Sequence, residues 1–146
     1  MKLKMKYLYI ALLFIVTTGC SKDITENENC IFLLNIPVNF NINLNLPQFS
    51  QLKFGGNSIY VPNEGNGGVI ITFTGVNYFA WDARDPNVTQ QSCSILEPSG
   101  LNASTTCTAK NEYSLVTGRS TNNPDLPCSL RNYRVEAQGN SLRIFF

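Results

Sequence analysis

From Val38 to Leu46 the chain alternates without a break: Val38, Phe40, Ile42, Leu44 and Leu46 are apolar, and the residues between them, Asn39, Asn41, Asn43 and Asn45, are all amides. A period of two is the repeat of a β-strand, whose successive side chains point to opposite faces of a sheet. The segment therefore reads as a strand with one apolar face and one solvated face. Further runs rich in Val, Ile, Tyr and Phe lie at Ser58 to Val61, Val69 to Thr74, Tyr78 to Trp81, Tyr113 to Val116, Arg131 to Glu136 and Ser141 to Phe145, each bounded by Gly or Pro turns. Gly65-Asn66-Gly67-Gly68 separates two of these runs. Gly139-Asn140 stands between Arg134-Val135-Glu136 and Leu142-Arg143-Ile144, where a tight hairpin needs residues that tolerate positive φ. No segment carries a helical period. The pattern predicts an all-β chain of antiparallel strands, arranged as a sandwich or a stack of small sheets that covers both faces of so many short strands.

The start of the chain follows a different pattern. Lys2, Lys4 and Lys6 precede an apolar run from Tyr7 to Val16, which ends at Thr17-Thr18-Gly19-Cys20. This is the layout of an export signal. The run is about half the roughly twenty residues that a membrane-spanning helix needs, so it predicts cleavage rather than a permanent span. The small residues before Cys20 resemble a bacterial lipobox, in which the cysteine is diacylated, the signal is cut in front of it and the new amino group is acylated. Thr17 stands where that motif usually has leucine. The expected layout is a signal over 1–19, an acylated Cys20 with a flexible polar tether over 20–29, and a β domain over 30–146. Several acyl chains, at about 0.8 kcal/mol for each buried methylene, hold a protein on a membrane far better than one.

Charge agrees with an exported body. Three of the eleven basic residues lie in the signal, leaving eight against ten acidic residues, a net charge of about −2. Arg119, Arg131, Arg134 and Arg143 are scattered, so there is no basic stripe for nucleic acid. The segment from Ser21 to Asn29 is polar and cannot bury itself.

With Cys20 acylated, Cys30, Cys93, Cys107 and Cys128 remain in a compartment that permits disulfides. Four cysteines allow three pairings. Cys93 and Cys107 flank a short turn-rich segment around Pro98-Ser99-Gly100, and Cys30 and Cys128 stand at the entry and near the exit of the domain, so the favoured pairs are Cys93 with Cys107 and Cys30 with Cys128. A metal site built from them is disfavoured, because no CxxC pair occurs and the chain has no histidine.

The run Val69-Ile70-Ile71-Thr72-Phe73-Thr74, then 78–87 (Tyr-Phe-Ala-Trp-Asp-Ala-Arg-Asp-Pro-Asn), 107–118 from Cys107 to Gly118, and finally Leu126-Pro127, Leu130, Tyr133-Arg134-Val135 and Gly139 to Ile144 resembles a Rieske iron–sulfur domain. The segment from Pro37 to Phe54 is similar to Bacteroidetes lipoproteins with the same ligand-poor pattern. The resemblance implies a Rieske-like stack of three small antiparallel sheets with two cluster loops at one end. It also marks the departures: Asp85-Pro86-Asn87 stands where the family has Cys-Pro-His, Cys107 is retained in the second box, and Lys110 stands where that box has histidine. A Rieske 2Fe–2S cluster takes two thiolates and two imidazoles, so the expectation is no cofactor. A signal without a twin arginine, which suggests passage of an unfolded chain, agrees with that.

Other candidates are weaker. Asp82, Asp85 and Asn87 gather two carboxylates and an amide within six residues, which suits a hard cation, but Asp-Pro-Asn is first a turn sequence. Lys110 lies near Ser104, Thr105 and Thr106, yet a nucleophile without any histidine lacks its usual base. Trp81, Tyr78, Phe79 and Tyr113 are expected in the core. The amide row could meet a polar partner or glycan, and a solvated face explains it more simply. The sequons at Asn87-Val88-Thr89 and Asn102-Ala103-Ser104 have no role in a bacterial envelope. The expected function is that of a membrane-anchored envelope lipoprotein, with the outer membrane favoured, acting as a non-catalytic binding or structural accessory for an envelope protein or glycan; the alternative is a Rieske-type electron-transfer domain.

Overall fold

The computed structural model describes residues 30–146, so the signal, Cys20 and the tether lie outside the described residues. Nine strands follow one another: β1 (Asn39–Asn43), β2 (Asn57–Val61), β3 (Val69–Phe73), β4 (Tyr78–Asp82), β5 (Glu97–Ser99), β6 (Asn102–Ser104), β7 (Glu112–Ser114), β8 (Asn132–Gln138) and β9 (Ser141–Phe145). Every pairing between them is antiparallel. The chain is thus all-β and built of stacked antiparallel sheets.

The sheets number two rather than three. A six-stranded sheet runs β1-β9-β8-β4-β3-β2, and a three-stranded sheet runs β5-β6-β7. The long β8 joins two groups that would otherwise be separate: it pairs along its length with β9, while Tyr133 and Asn132 at its start pair with Ala80 and Trp81 of β4.

The six-stranded sheet is covered on both faces, which explains why β3 does not alternate. Val69, Ile71, Ala80, Tyr133, Leu142 and Ile144 pack with Val38, Ile42, Leu44 and Leu52 into one core. Ile70 and Trp81 point the other way, into a second core with Ala83, Leu96, Ala103, Tyr113, Leu115 and Leu130 beneath the three-stranded sheet. A strand buried on both sides reads as a continuous apolar run, as Val69-Ile70-Ile71 does.

Four local expectations change. The alternation beyond Asn43 does not continue as a strand: Leu44 is buried, but Leu46 is exposed and leads into a 3-10 helix, Pro47–Lys53, with Pro at its start. Proline there presets φ and has no N–H to leave unpaired. A second 3-10 turn spans Ser92–Ser94, so the described residues hold two short 3-10 segments where no helix was expected. The strand expected at Tyr113 to Val116 stops at Ser114, where the chain turns toward Gly118. The segment around Pro98-Ser99-Gly100, expected to be turns, is the β5–β6 hairpin, with Gly100 at φ 61.

Candidate functional site

Two connections meet at one end of the three-stranded sheet, residues 83–96 between β4 and β5 and residues 105–111 between β6 and β7. Cys93 is bonded to Cys107 across them, and Thr106 N–H donates to the Cys93 carbonyl at 3.2 Å. Cys30 is bonded to Cys128, closing 98 residues of chain. These are the pairs that the spacing favoured.

Asp85 and Asn87 do not open onto solvent as a ligand site. Asp85 is fully buried. Its Oδ1 accepts from the Tyr113 hydroxyl at 2.7 Å and from Asn87 N–H at 2.8 Å, and its Oδ2 accepts from Asn111 Nδ2 at 2.7 Å. Asn87 reaches the third connection of this end: its Nδ2 donates to the Cys128 carbonyl at 2.8 Å and to the Tyr113 hydroxyl at 2.9 Å, and its Oδ1 accepts from Cys128 N–H at 3.0 Å. Asn111 N–H in turn donates to the buried Thr105 Oγ1 at 3.0 Å. One network therefore ties both connections to the strand bearing Tyr113 and to the Cys30–Cys128 bridge. Most buried polar groups in proteins are partnered in this way.

A second network lies on the other side of β4. Asp82 Oδ2 accepts from the Tyr133 hydroxyl at 2.6 Å, from Asn66 N–H at 2.9 Å and from Asn66 Nδ2 at 2.8 Å, while Oδ1 accepts from Arg84 N–H at 2.9 Å. Gly65 at φ 63 lets the loop close on this pair, since a Cβ there would lie 2.5 Å from the Tyr133 hydroxyl. Arg84 continues outward to the Gln91 carbonyl at 2.7 Å and Ser94 Oγ at 3.0 Å. Burial, and after it the hydrogen bond to Asp85 or Asp82, pushes the Tyr113 and Tyr133 hydroxyls well above the ordinary phenol range.

The remaining candidates separate. Asp82 and Asp85 belong to different networks and their oxygens face N–H and O–H donors, so Asp82, Asp85 and Asn87 do not converge as a cation site. No group of three or more metal-ligating residues occurs among the described residues. Lys110 is exposed beside a shallow depression of about 240 Å³ that Ser104 also lines, whereas Thr105 is buried and bonded to Asn111. Trp81 is core: its Nε1 donates to the Leu115 carbonyl at 2.8 Å. Tyr113 is core as well, with its hydroxyl in the Asp85 network; Tyr78 and Phe79 are half-buried, and the Tyr78 ring stacks on Phe73 at 4.3 Å. The Asn39, Asn41, Asn43 and Asn45 row is exposed.

These positions do not suit the cluster of the family that the sequence resembles. The Cys107 sulfur is bonded to Cys93, Asp85 and Asn87 hold the loops by hydrogen bonds, and no histidine exists in the chain. Sequence reasoning missed Asn111, Thr105, Asn66 and Tyr133 as partners, because nothing local marks them.

No family model matches the chain, and no curated protein matches it. Among solved structures it is similar to the ferredoxin of carbazole 1,9a-dioxygenase from Nocardioides aromaticivorans, at 16% identity over 75% of this chain and 96% of that chain, with a TM-score of 0.47. It is also similar to a protein described as the small subunit of an NADPH nitrite reductase, at 18% identity over 72% of this chain and 97% of that chain, with a TM-score of 0.42.

Proposed function

We propose that this protein is a lipid-anchored bacterial envelope protein whose β domain is a Rieske-like scaffold without a cluster, serving as a non-catalytic binding or structural accessory. The observation that carries the reading is the structural use of three of the four positions where the family has ligands, Cys107 in a disulfide and Asp85 and Asn87 in one hydrogen-bond network, while the fourth, Lys110, is exposed. Hydrogen bonds and a covalent bridge hold together the two connections that a cluster would otherwise cross-link. The export signal ending at Cys20 and the two disulfides support an envelope location.

The chain from Ser21, made in an oxidising compartment, tests the domain. Elemental analysis should find iron, zinc and calcium well below one per chain, with no absorption in the visible. Iron and sulfide near stoichiometry would instead establish the electron-transfer alternative. The anchor has its own test: full-length protein should incorporate radiolabelled palmitate, and Cys20→Ala should abolish the label.

A further inference from the structure

β1 closes one edge of the six-stranded sheet and pairs on one side only, with β9. The ladder fixes which of its backbone groups are engaged. Leu44 N–H donates to the Asn140 carbonyl and Phe146 N–H to the Val38 carbonyl, so the even-numbered residues face β9. Antiparallel ladders alternate, so the N–H and C=O groups of Asn39, Asn41 and Asn43 point away from β9; of these the Asn43 carbonyl already accepts from Leu46 N–H at 3.1 Å. Pro37 offers no N–H, and Asn45 N–H is taken by Asn43 Oδ1 at 2.9 Å, which limits the open ladder to Asn39–Asn43.

Natural edges are guarded by charged side chains, proline, bulges or a covering segment. Among the described residues β1 has none of these: no charged residue or proline occurs from Val38 to Leu46, its five register pairs with β9 run without a bulge, and no strand pairs with its outer side. The opposite edge is covered, since β2 packs against β5 and Ser58 Oγ donates to the Gly100 carbonyl of the β5–β6 turn. Along β1 the outer amides are engaged locally, Asn39 Oδ1 by Arg143 Nε at 3.2 Å and Asn43 Oδ1 by Asn45 N–H, whereas the central Asn41 amide has no hydrogen bond among the described residues.

We propose that β1 pairs antiparallel with the β1 of a second copy of this chain, about a two-fold axis through Asn41. The strand is symmetric about that residue. Asn39 then faces the partner's Asn43, Asn41 faces the partner's Asn41, and Asn43 faces the partner's Asn39; the central pair exchanges two backbone hydrogen bonds, and each outer pair adds the bond from Asn43 N–H to the Asn39 carbonyl. The two Asn41 amides, each a donor and an acceptor, satisfy one another on the solvated face. On the other face Phe40 meets the partner's Ile42, which extends the apolar side of the sheet. An uncharged edge sets no like charges against each other, and the contact is isologous, so it closes at two copies. The same pattern argues for a second copy over an unrelated strand: an amide at every outward position complements itself.

The test is the molar mass in solution of the chain from Ser21, which contains every described residue, measured by sedimentation equilibrium up to millimolar concentration. The expected result is the mass of two chains, falling to one chain in Asn41→Lys, whose paired ammonium groups would meet on the axis. Asn41 is exposed, so Asn41→Lys should keep the wild-type melting temperature when both are dilute and monomeric; Asn41→Ser, which keeps a small polar group, should remain a dimer. A wild-type monomer at the highest concentration, a dimer untouched by Asn41→Lys, or open-ended assembly would each overturn the proposal. So would a monomer that binds an unrelated extended peptide along β1, which would assign the edge to a partner strand.

Discussion

The Tyr113 hydroxyl donates a 2.7 Å hydrogen bond to Oδ1 of Asp85, and both residues are completely buried. The two lie 28 positions apart in the chain, one on β7 and the other on the connection after β4. Their bond is the centre of the network that fastens the 83–96 connection to the three-stranded sheet.

Removing the hydroxyl should therefore cost stability out of proportion to its size. Tyr113→Phe leaves the half-buried Asn87 Nδ2 one acceptor short and deprives the buried Asp85 of a donor, a loss of roughly 1.5–3 kcal/mol for a buried hydrogen bond to an acidic group. Tyr60→Phe deletes a hydroxyl that bonds the Gly67 carbonyl at 2.8 Å on an exposed ring and should cost about 1 kcal/mol or less. Urea midpoints of the two variants check the contrast; equal shifts would mean that the network is not a stabilising centre.

Alkali should unfold the protein before its surface chemistry requires it. Tyr113 and Tyr133 have raised hydroxyl pKa values in the folded chain, against 10.0 unperturbed. Below about pH 10 both states keep these protons and the stabilisation is complete. As the pH rises past 10 the unfolded chain ionises them and the folded chain does not, so stability falls by up to about 1.4 kcal/mol per pH unit for each tyrosine. Denaturant titrations between neutral pH and pH 11 should show that slope, and Tyr113→Phe with Tyr133→Phe should flatten it. A wild-type slope that survives the double variant would trace the alkaline loss to other groups.

The two disulfides should differ in worth. In the chain-entropy model a loop of about 15 residues contributes about 3 kcal/mol and one of about 100 residues about 4.7 kcal/mol; the separations here are 14 and 98. Replacing Cys30 and Cys128 with serine should lower the denaturation midpoint more than replacing Cys93 and Cys107. Intact mass of the native chain from Ser21 should be four hydrogens below its fully reduced mass, and the reverse order of midpoints would show that local packing outweighs loop closure.

Gly118 is held against the single tryptophan. It sits at φ 72, and a Cβ there would lie 2.5 Å from Cζ3 of Trp81. Gly118→Ala should cost more than about 2 kcal/mol, combining left-handed strain with overpacking, and shift the emission of Trp81. Gly139→Ala, at φ 59 with nothing within 4 Å, should show only the strain of roughly 1–2 kcal/mol and leave the emission unchanged. Emission changes of the same size in both would remove the packing explanation.

Much of the sheet framework was legible in the order of residues. The alternation from Val38, the Gly139-Asn140 hairpin and the β-branched runs placed β1, β2, β3, β4, β8 and β9, because a period of two and a turn that accepts positive φ are local properties. The two disulfide pairs were the favoured ones of three possible pairings, since Cys93 and Cys107 flank a short turn-rich segment and Cys30 and Cys128 stand at the entry and near the exit of the domain. The β5–β6 hairpin escaped because strands of three residues, one containing Pro98 and the other Asn102 and Ser104, are too short to show a period. The 3-10 helix at Pro47–Lys53 escaped because the amide alternation runs straight into it.

What the order of residues determined by itself is the class of fold and the absence of any imidazole. What the tertiary structure alone decided is the surroundings of Asp85, Asn87 and Cys107 and the count of sheets among the described residues. Asp85 reads first as a turn residue, and its buried role appears only when Tyr113, Asn111 and Asn87 are seen to surround it; β8 reads as one hairpin arm until its first residues are seen to pair with β4. Periodicity is set by the backbone geometry of neighbouring residues, whereas burial and hydrogen-bond partnership depend on residues 26 to 51 positions away, which only the folded chain brings within 3 Å of one another.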